Sequence, residues 1–144
     1  MAEEEKYLVN LMLYTSSVKN ILNKFGLDAG PSLSILGGLI GEAISRKLKS
    51  NDLEGVIKEA TSFWKRHNLG RIEVVEKDPL TLLVHERYHL EGLPESGTTL
   101  CVFDEAILRS VLELKLGVRC LVKETECHGT GHDHCKFEIK IIRA

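Results

Sequence analysis

At Gly70 the spacing of apolar residues changes, and that change limits the folds open to this chain. Before it, apolar residues recur at three- and four-residue steps; after it, stretches appear in which they alternate with polar ones. The first pattern builds one face of a helix and the second one face of a strand. A chain that begins helical and then turns to paired strands has to lay helices on a sheet to bury both faces.

The helical half reads as three segments. Leu8, Leu11, Met12, Val18, Ile21, Leu22 and Phe25 share a helical period, with acids before them and Gly26 as a stop. Pro31 stands near the start of "PSLSILGGLIGEAISRKLKS", where the first helical turn tolerates it. Gly37 and Gly41 lie one turn apart on this second helix, beside Gly38. Each interior glycine costs about 1 kcal/mol relative to alanine, so another helix is expected to approach there, within the subunit or across a dimer. "SNDLEGVIKEATSFWKRHNLG" predicts a third helix, capped by Ser50 or Asn51 and closed by Gly70. Leu53, Val56, Ile57, Ala60, Phe63 and Trp64 form its buried stripe.

"RIEVVEKDPLTLLVHERYH" predicts two strands around a tight turn at Lys77, Asp78 and Pro79, followed by the polar loop "LEGLPESGTT". Helical spacing returns from Cys101 to Gly117. Two further strands follow, "VRCLVKETEC" and "HCKFEIKIIRA"; on the last, Cys135, Phe137, Ile139 and Ile141 alternate with Lys136, Glu138 and Lys140. The order ααα-ββ-α-ββ predicts a single α+β domain over residues 1–144, with N-terminal helices packed on an antiparallel sheet of about four strands. A net charge of −2 gives no basic field for nucleic acid, and no apolar run reaches the roughly 20 residues needed to span a bilayer. The acidic start lacks the basic region of an export signal, so a cytoplasmic protein is expected, with no direct nucleic-acid binding and no membrane insertion. Four cysteines in such a chain read as thiols or metal ligands.

Two of those cysteines, Cys127 and Cys135, flank "HGTGHDH", where a hairpin would bring them together. Glu124 lies three residues before Cys127. Strict alternation would put Glu124 and Cys127 on opposite faces, so a shared ion requires a bulge or twist near Glu126. Cys101 opens the preceding helix, which must pack on the sheet. Thiolates with one carboxylate or imidazole suit four-coordinate zinc; a small buried apolar role is the plainer alternative. Cys120, in mid-strand with Val118 and Val122, reads as core. His128, His132 and His134 read as solvated loop residues, as donors to the sulfurs, or as replacements for Glu124 as fourth ligand. His67, His85 and His89 read as surface or sheet-edge residues.

The pattern E-x-x-C-x-x-x-G-x-x-x-C-x-F-x-I, met as Glu124, Cys127, Gly131, Cys135, Phe137 and Ile139, resembles the 4-vinyl reductase domain. Cys101 with Phe103 matches the cysteine and aromatic residue that open the helix before the hairpin in that family. The resemblance has motif support over roughly Arg71 to Ile142. It implies kinship in fold with the sensor domains of phenol-responsive activators and with tethering subunits of transport particles, a homodimer, and a pocket between helices and sheet. It also implies a zinc ion held by Cys101, Glu124, Cys127 and Cys135. The helix "VFDEAILRSVLEL" lacks the glycines many members carry there, which bears on pocket size, and the hairpin loop is unusually rich in histidine.

Three thiolates and a carboxylate around Zn²⁺ leave two net negative charges, which need donors nearby. Four filled positions leave none for water or substrate, so the zinc is expected to be structural. The expected function is a binding module for a hydrophobic small molecule, lined by Phe63, Trp64, Leu82, Val84 and Phe137. One alternative is an assembly role with the face at Gly37 to Gly41 as dimer interface. Another is an enzyme associated with reduction in tetrapyrrole metabolism, although neither a dinucleotide-binding glycine motif nor a nucleophile–base pair is visible. The sequence carries no recognisable DNA-binding or ATPase region, so any regulation is expected to run through a partner.

Overall fold

The computed structural model describes residues 3, 5–7, 10, 25, 26, 30–67, 69–85, 102–127 and 130–142. The expected first helix falls largely outside these residues, as do the polar loop after β2, His89, Cys101 and His128.

Three helices and four strands follow one another as α1 (Gly30–Ser45), α2 (Leu53–Arg66), β1 (Arg71–Lys77), β2 (Leu80–His85), α3 (Val102–Leu116), β3 (Arg119–Glu126) and β4 (Cys135–Ile142). The sheet order is β1-β2-β4-β3, with every neighbouring pair antiparallel. This is the α+β architecture that the change of period implies. No helix among the described residues is long and apolar enough to cross a membrane.

α1 runs along α3, and glycine makes that possible. A Cβ on Gly37 would stand 2.6 Å from the carbonyl oxygen of Phe103, and one on Gly41 2.7 Å from that of Ile107. Ser110 Oγ donates to the Gly38 carbonyl at 2.8 Å across the same contact. The glycine face is therefore spent inside the subunit and is not offered to a second copy. What α1 turns outward is Ile35 and Leu39, both exposed.

α2 is capped by Asp52, not by Ser50 or Asn51: its carboxylate accepts the Gly55 N–H at 3.1 Å. Ser50 is engaged elsewhere, its N–H donating to Glu59. The helix ends at Arg66, with His67 as its cap, and Gly70 takes a φ of 136° on entry to β1. Val56, Ala60, Phe63 and Trp64 face the core, which Ile72, Leu82, Val84, Phe137 and Ile139 complete from the sheet. Each large side chain buried there contributes roughly 1.5–3 kcal/mol.

β3 is an edge strand, and α3 covers its outward N–H groups. Glu113 accepts the N–H of Cys120 at 2.9 Å, and Glu105 that of Glu124 at 2.7 Å. Two carboxylates two helical turns apart thus cap two amides four residues apart, which blocks pairing by another strand there.

Candidate functional site

The sequence stretch around the hairpin predicts a bulge, and β3 carries one. Glu124 stands opposite Phe137, yet Glu126 stands opposite Lys136, so Thr125 has no partner of its own. The extra residue reverses the alternation. Glu124 is 3% exposed, and Cys127 and Cys135 are wholly buried, all within the sheet's core side. Cys135 pairs in register with Val84 of β2, deep in the sheet.

The hairpin loop is built on Cys127. Its carbonyl accepts the N–H groups of Thr130 (3.1 Å) and His132 (3.0 Å), and its own N–H donates to Thr130 Oγ1 at 3.0 Å. Gly131 supplies a φ of 88°, a conformation that other residues adopt only at a cost. On the incoming side, the Glu105–Glu124 hydrogen bond fastens the first turn of α3, directly after Cys101, to the bulge.

A buried carboxylate and two buried thiols form a donor set whose chemistry fits zinc. Among the described residues, however, no group of three or more His, Cys, Asp or Glu side chains is placed to hold a metal ion, and Cys101 lies outside them. Cys120 occupies the core, as its mid-strand position predicts; burial pushes its thiol up to about 11, with Glu113 adding to the shift.

The histidines gather on the other side of the bulge. Glu126 accepts from both His132 Nε2 and His134 Nε2 at 3.3 Å when they are protonated, and Lys136 Nζ lies 3.9 Å away. The hydrogen bond from His134, assisted by the charges of His132 and Lys136, holds the Glu126 carboxyl below its usual range. Asp133 is lowered likewise by His134. His85, expected as an isolated sheet-edge residue, joins this group with its ring 6.0 Å from that of His134. The β2–β4 register makes the meeting inevitable, since the neighbouring pair is Val84 with Cys135. His67 also departs from expectation: it is buried, edge-on to Phe63, with Glu5 at 3.3 Å. Desolvation, with Arg66 beside it, lowers its pKa.

The residues expected to line a pocket, Phe63, Trp64, Leu82, Val84 and Phe137, are all packed in the core. Beside them, a mainly apolar cleft of about 370 Å³ opens between α2 and the β1–β2 hairpin, walled by Leu53, Ile57, Val74 and Leu80. Val74 pairs with Leu82 on the core side of the sheet but is 41% exposed, because the cleft opens at that point. Sequence spacing could not reveal Glu105, Thr130 or this cleft, since each depends on contacts between elements far apart in the chain.

The solved structures most like this fold include a vinyl-4-reductase family protein from Methanocaldococcus jannaschii. It is 21% identical, with a TM-score of 0.63 over 92% of this chain and 80% of that one. A trafficking protein particle complex subunit 3 from Naegleria fowleri, covalently bound to palmitic acid, has a TM-score of 0.72 at 15% identity, covering 96% and 97%. The phenol-responsive sensory domain of the transcription activator PoxR, with phenol, has a TM-score of 0.65 at 14% identity, covering 90% and 73%. In sequence, two proteins of M. jannaschii are similar. MJ1642 is 31% identical over 71% of this chain, which spans 61% of that protein's length. MJ0150 is 30% identical over 80% of this chain and 69% of its own. The family model of the 4-vinyl reductase domain matches residues 80–141, the whole segment from β2 to the end of β4. By this match and these relatives, the chain belongs to the 4-vinyl reductase domain family.

Proposed function

We propose that this protein is a regulatory domain that holds a hydrophobic small molecule between α2 and the sheet, with a structural zinc ion tying α3 to the last hairpin. The observation that carries the metal reading is the bulge at Thr125, which buries Glu124 on the same side as Cys127 and Cys135. Cys101 would complete the set from the start of α3, whose first turn Glu105 already holds against Glu124. Bound zinc would supply a cross-link and no chemistry of its own, because four protein ligands leave no open position. Thr130 and the loop amides around Cys127 would steady the hairpin that carries two of the sulfurs.

The ligand reading rests on the apolar cleft and on family membership, with two structural neighbours, an activator's sensory domain and a tethering-complex subunit, that hold phenol and palmitic acid. A ligand larger than the cleft would displace the layer formed by Phe63, Trp64, Leu82, Val84 and Phe137. A homodimer in the cytoplasm is part of the proposal; with the glycine face of α1 occupied, the outward Ile35 and Leu39 are the surface it would use.

Two measurements test these readings separately. Elemental analysis is expected to give about one zinc per chain, and fully folded, metal-free protein would remove the ion. Trp64 is the single tryptophan, so its fluorescence reports directly on the layer beneath the cleft. Titration with phenol or palmitate is expected to give a saturable change that Ile57→Trp, which fills the cleft, abolishes. A flat response to both compounds overturns the ligand reading.

A further inference from the structure

A second cleft, of about 600 Å³, lies between the α1–α2 connection and the outer side of α2. Its charge is opposite to that of the chain. Lys47, Lys49, Lys58 and Arg66 line it against only two carboxylates, Glu5 and Glu59, so it carries +2 in a chain whose formal net charge is −2.

The carboxylates are already engaged in ways that leave the cationic character standing. Glu59 is turned to the backbone: its oxygens accept the N–H of Lys49 (3.1 and 3.0 Å) and of Ser50 (2.6 Å). Those backbone hydrogen bonds, helped by the Ser50 side chain, hold its pKa down to about 2, so it stays ionised and fixed as a brace for the connection. Glu5 is shared between Arg66 at 3.6 Å and buried His67 at 3.3 Å. Behind the connection, Lys115 donates to the Leu48 carbonyl at 2.8 Å, adding positive charge from α3.

We infer that this cleft binds a small soluble phosphate-bearing anion. Its volume falls within the roughly 300–1,000 Å³ usual for small-molecule sites. Ammonium groups act as point charges for phosphate, and the Arg66 guanidinium offers a planar fork to its oxygens. Ser50 and Ser62, on the same lining, add hydroxyl donors that a phosphate's several acceptor oxygens can use together. The cleft is separate from the apolar one beside β1, so this inference stands whether or not a hydrophobic ligand binds there.

Calorimetric titration of the full chain with inorganic pyrophosphate tests it. Saturable binding is expected, weakening as salt rises, with amide shifts concentrated at Ser50, Gly55 and Ser62. Lys49 and Lys58 are exposed, so the double variant Lys49→Gln/Lys58→Gln should fold normally while its affinity falls by at least about tenfold. Lys123→Gln, on an exposed position of β3, should leave binding unchanged. Absence of saturable binding, undiminished affinity in the double variant, or equally tight binding of succinate would each overturn the assignment.

Discussion

Glu124 and Glu126 sit two residues apart on one strand, where regular pleating would give them the same surroundings. They have opposite ones. Glu124 is buried opposite Phe137 and held through its backbone by Glu105; Glu126, with its side chain 31% exposed, is ringed by His132, His134 and Lys136. One unpaired residue, Thr125, makes the difference. The lesson is that a bulge can sort chemically identical side chains into two roles, one facing sulfur in the interior and one organising imidazoles at the surface.

The largest effect should come from removing the bulge itself. Deleting Thr125 restores strict alternation, so one flank of β3 must turn its core residues to water. A loss of more than about 4 kcal/mol in chemical denaturation is expected; a deletion variant of near-native stability would show that the bulge does not separate the two environments.

The isosteric pair Glu124→Gln and Glu126→Gln sharpens the contrast. On the zinc reading, the inner change should weaken zinc retention in a chelator competition by at least about tenfold. The outer change should leave zinc content alone. Equal effects from both would end the distinction between the two faces.

Cys120→Ser probes burial without the proposed metal. Its thiol shares the core but not the hairpin, so the variant should lose about 1–2 kcal/mol while keeping its zinc. Loss of the ion would mean that the inner face acts as one unit. Smallest of all, Glu126→Gln should move stability by no more than about 0.5–1 kcal/mol, because its partners are solvent-exposed ion pairs. A larger loss on thermal melting would make the histidine group a structural element in its own right.

Much of this was legible in advance where periodicity carried it. The alternation of Cys135, Phe137 and Ile139 along β4 predicts their burial, and all three are buried. The conflict between alternation and a shared site for Glu124 and Cys127 even predicts a bulge. Less could be read where two distant elements meet. The pairing of His85 with the hairpin histidines depends on β4 lying beside β2, and the burial of His67 depends on Phe63 and on Glu5. Gly37 and Gly41 signal a close approach, but only packing could show that α3 of the same chain makes it.

The sequence by itself determined the elements, their order and the faces they bury, because those follow from local spacing and the free energy of removing apolar atoms from water. Tertiary structure alone decided strand order, the partner of the glycine face, the clamp from Glu105 and the cationic cleft. Each of these joins groups tens of residues apart, and no local period encodes which of several compatible surfaces will meet.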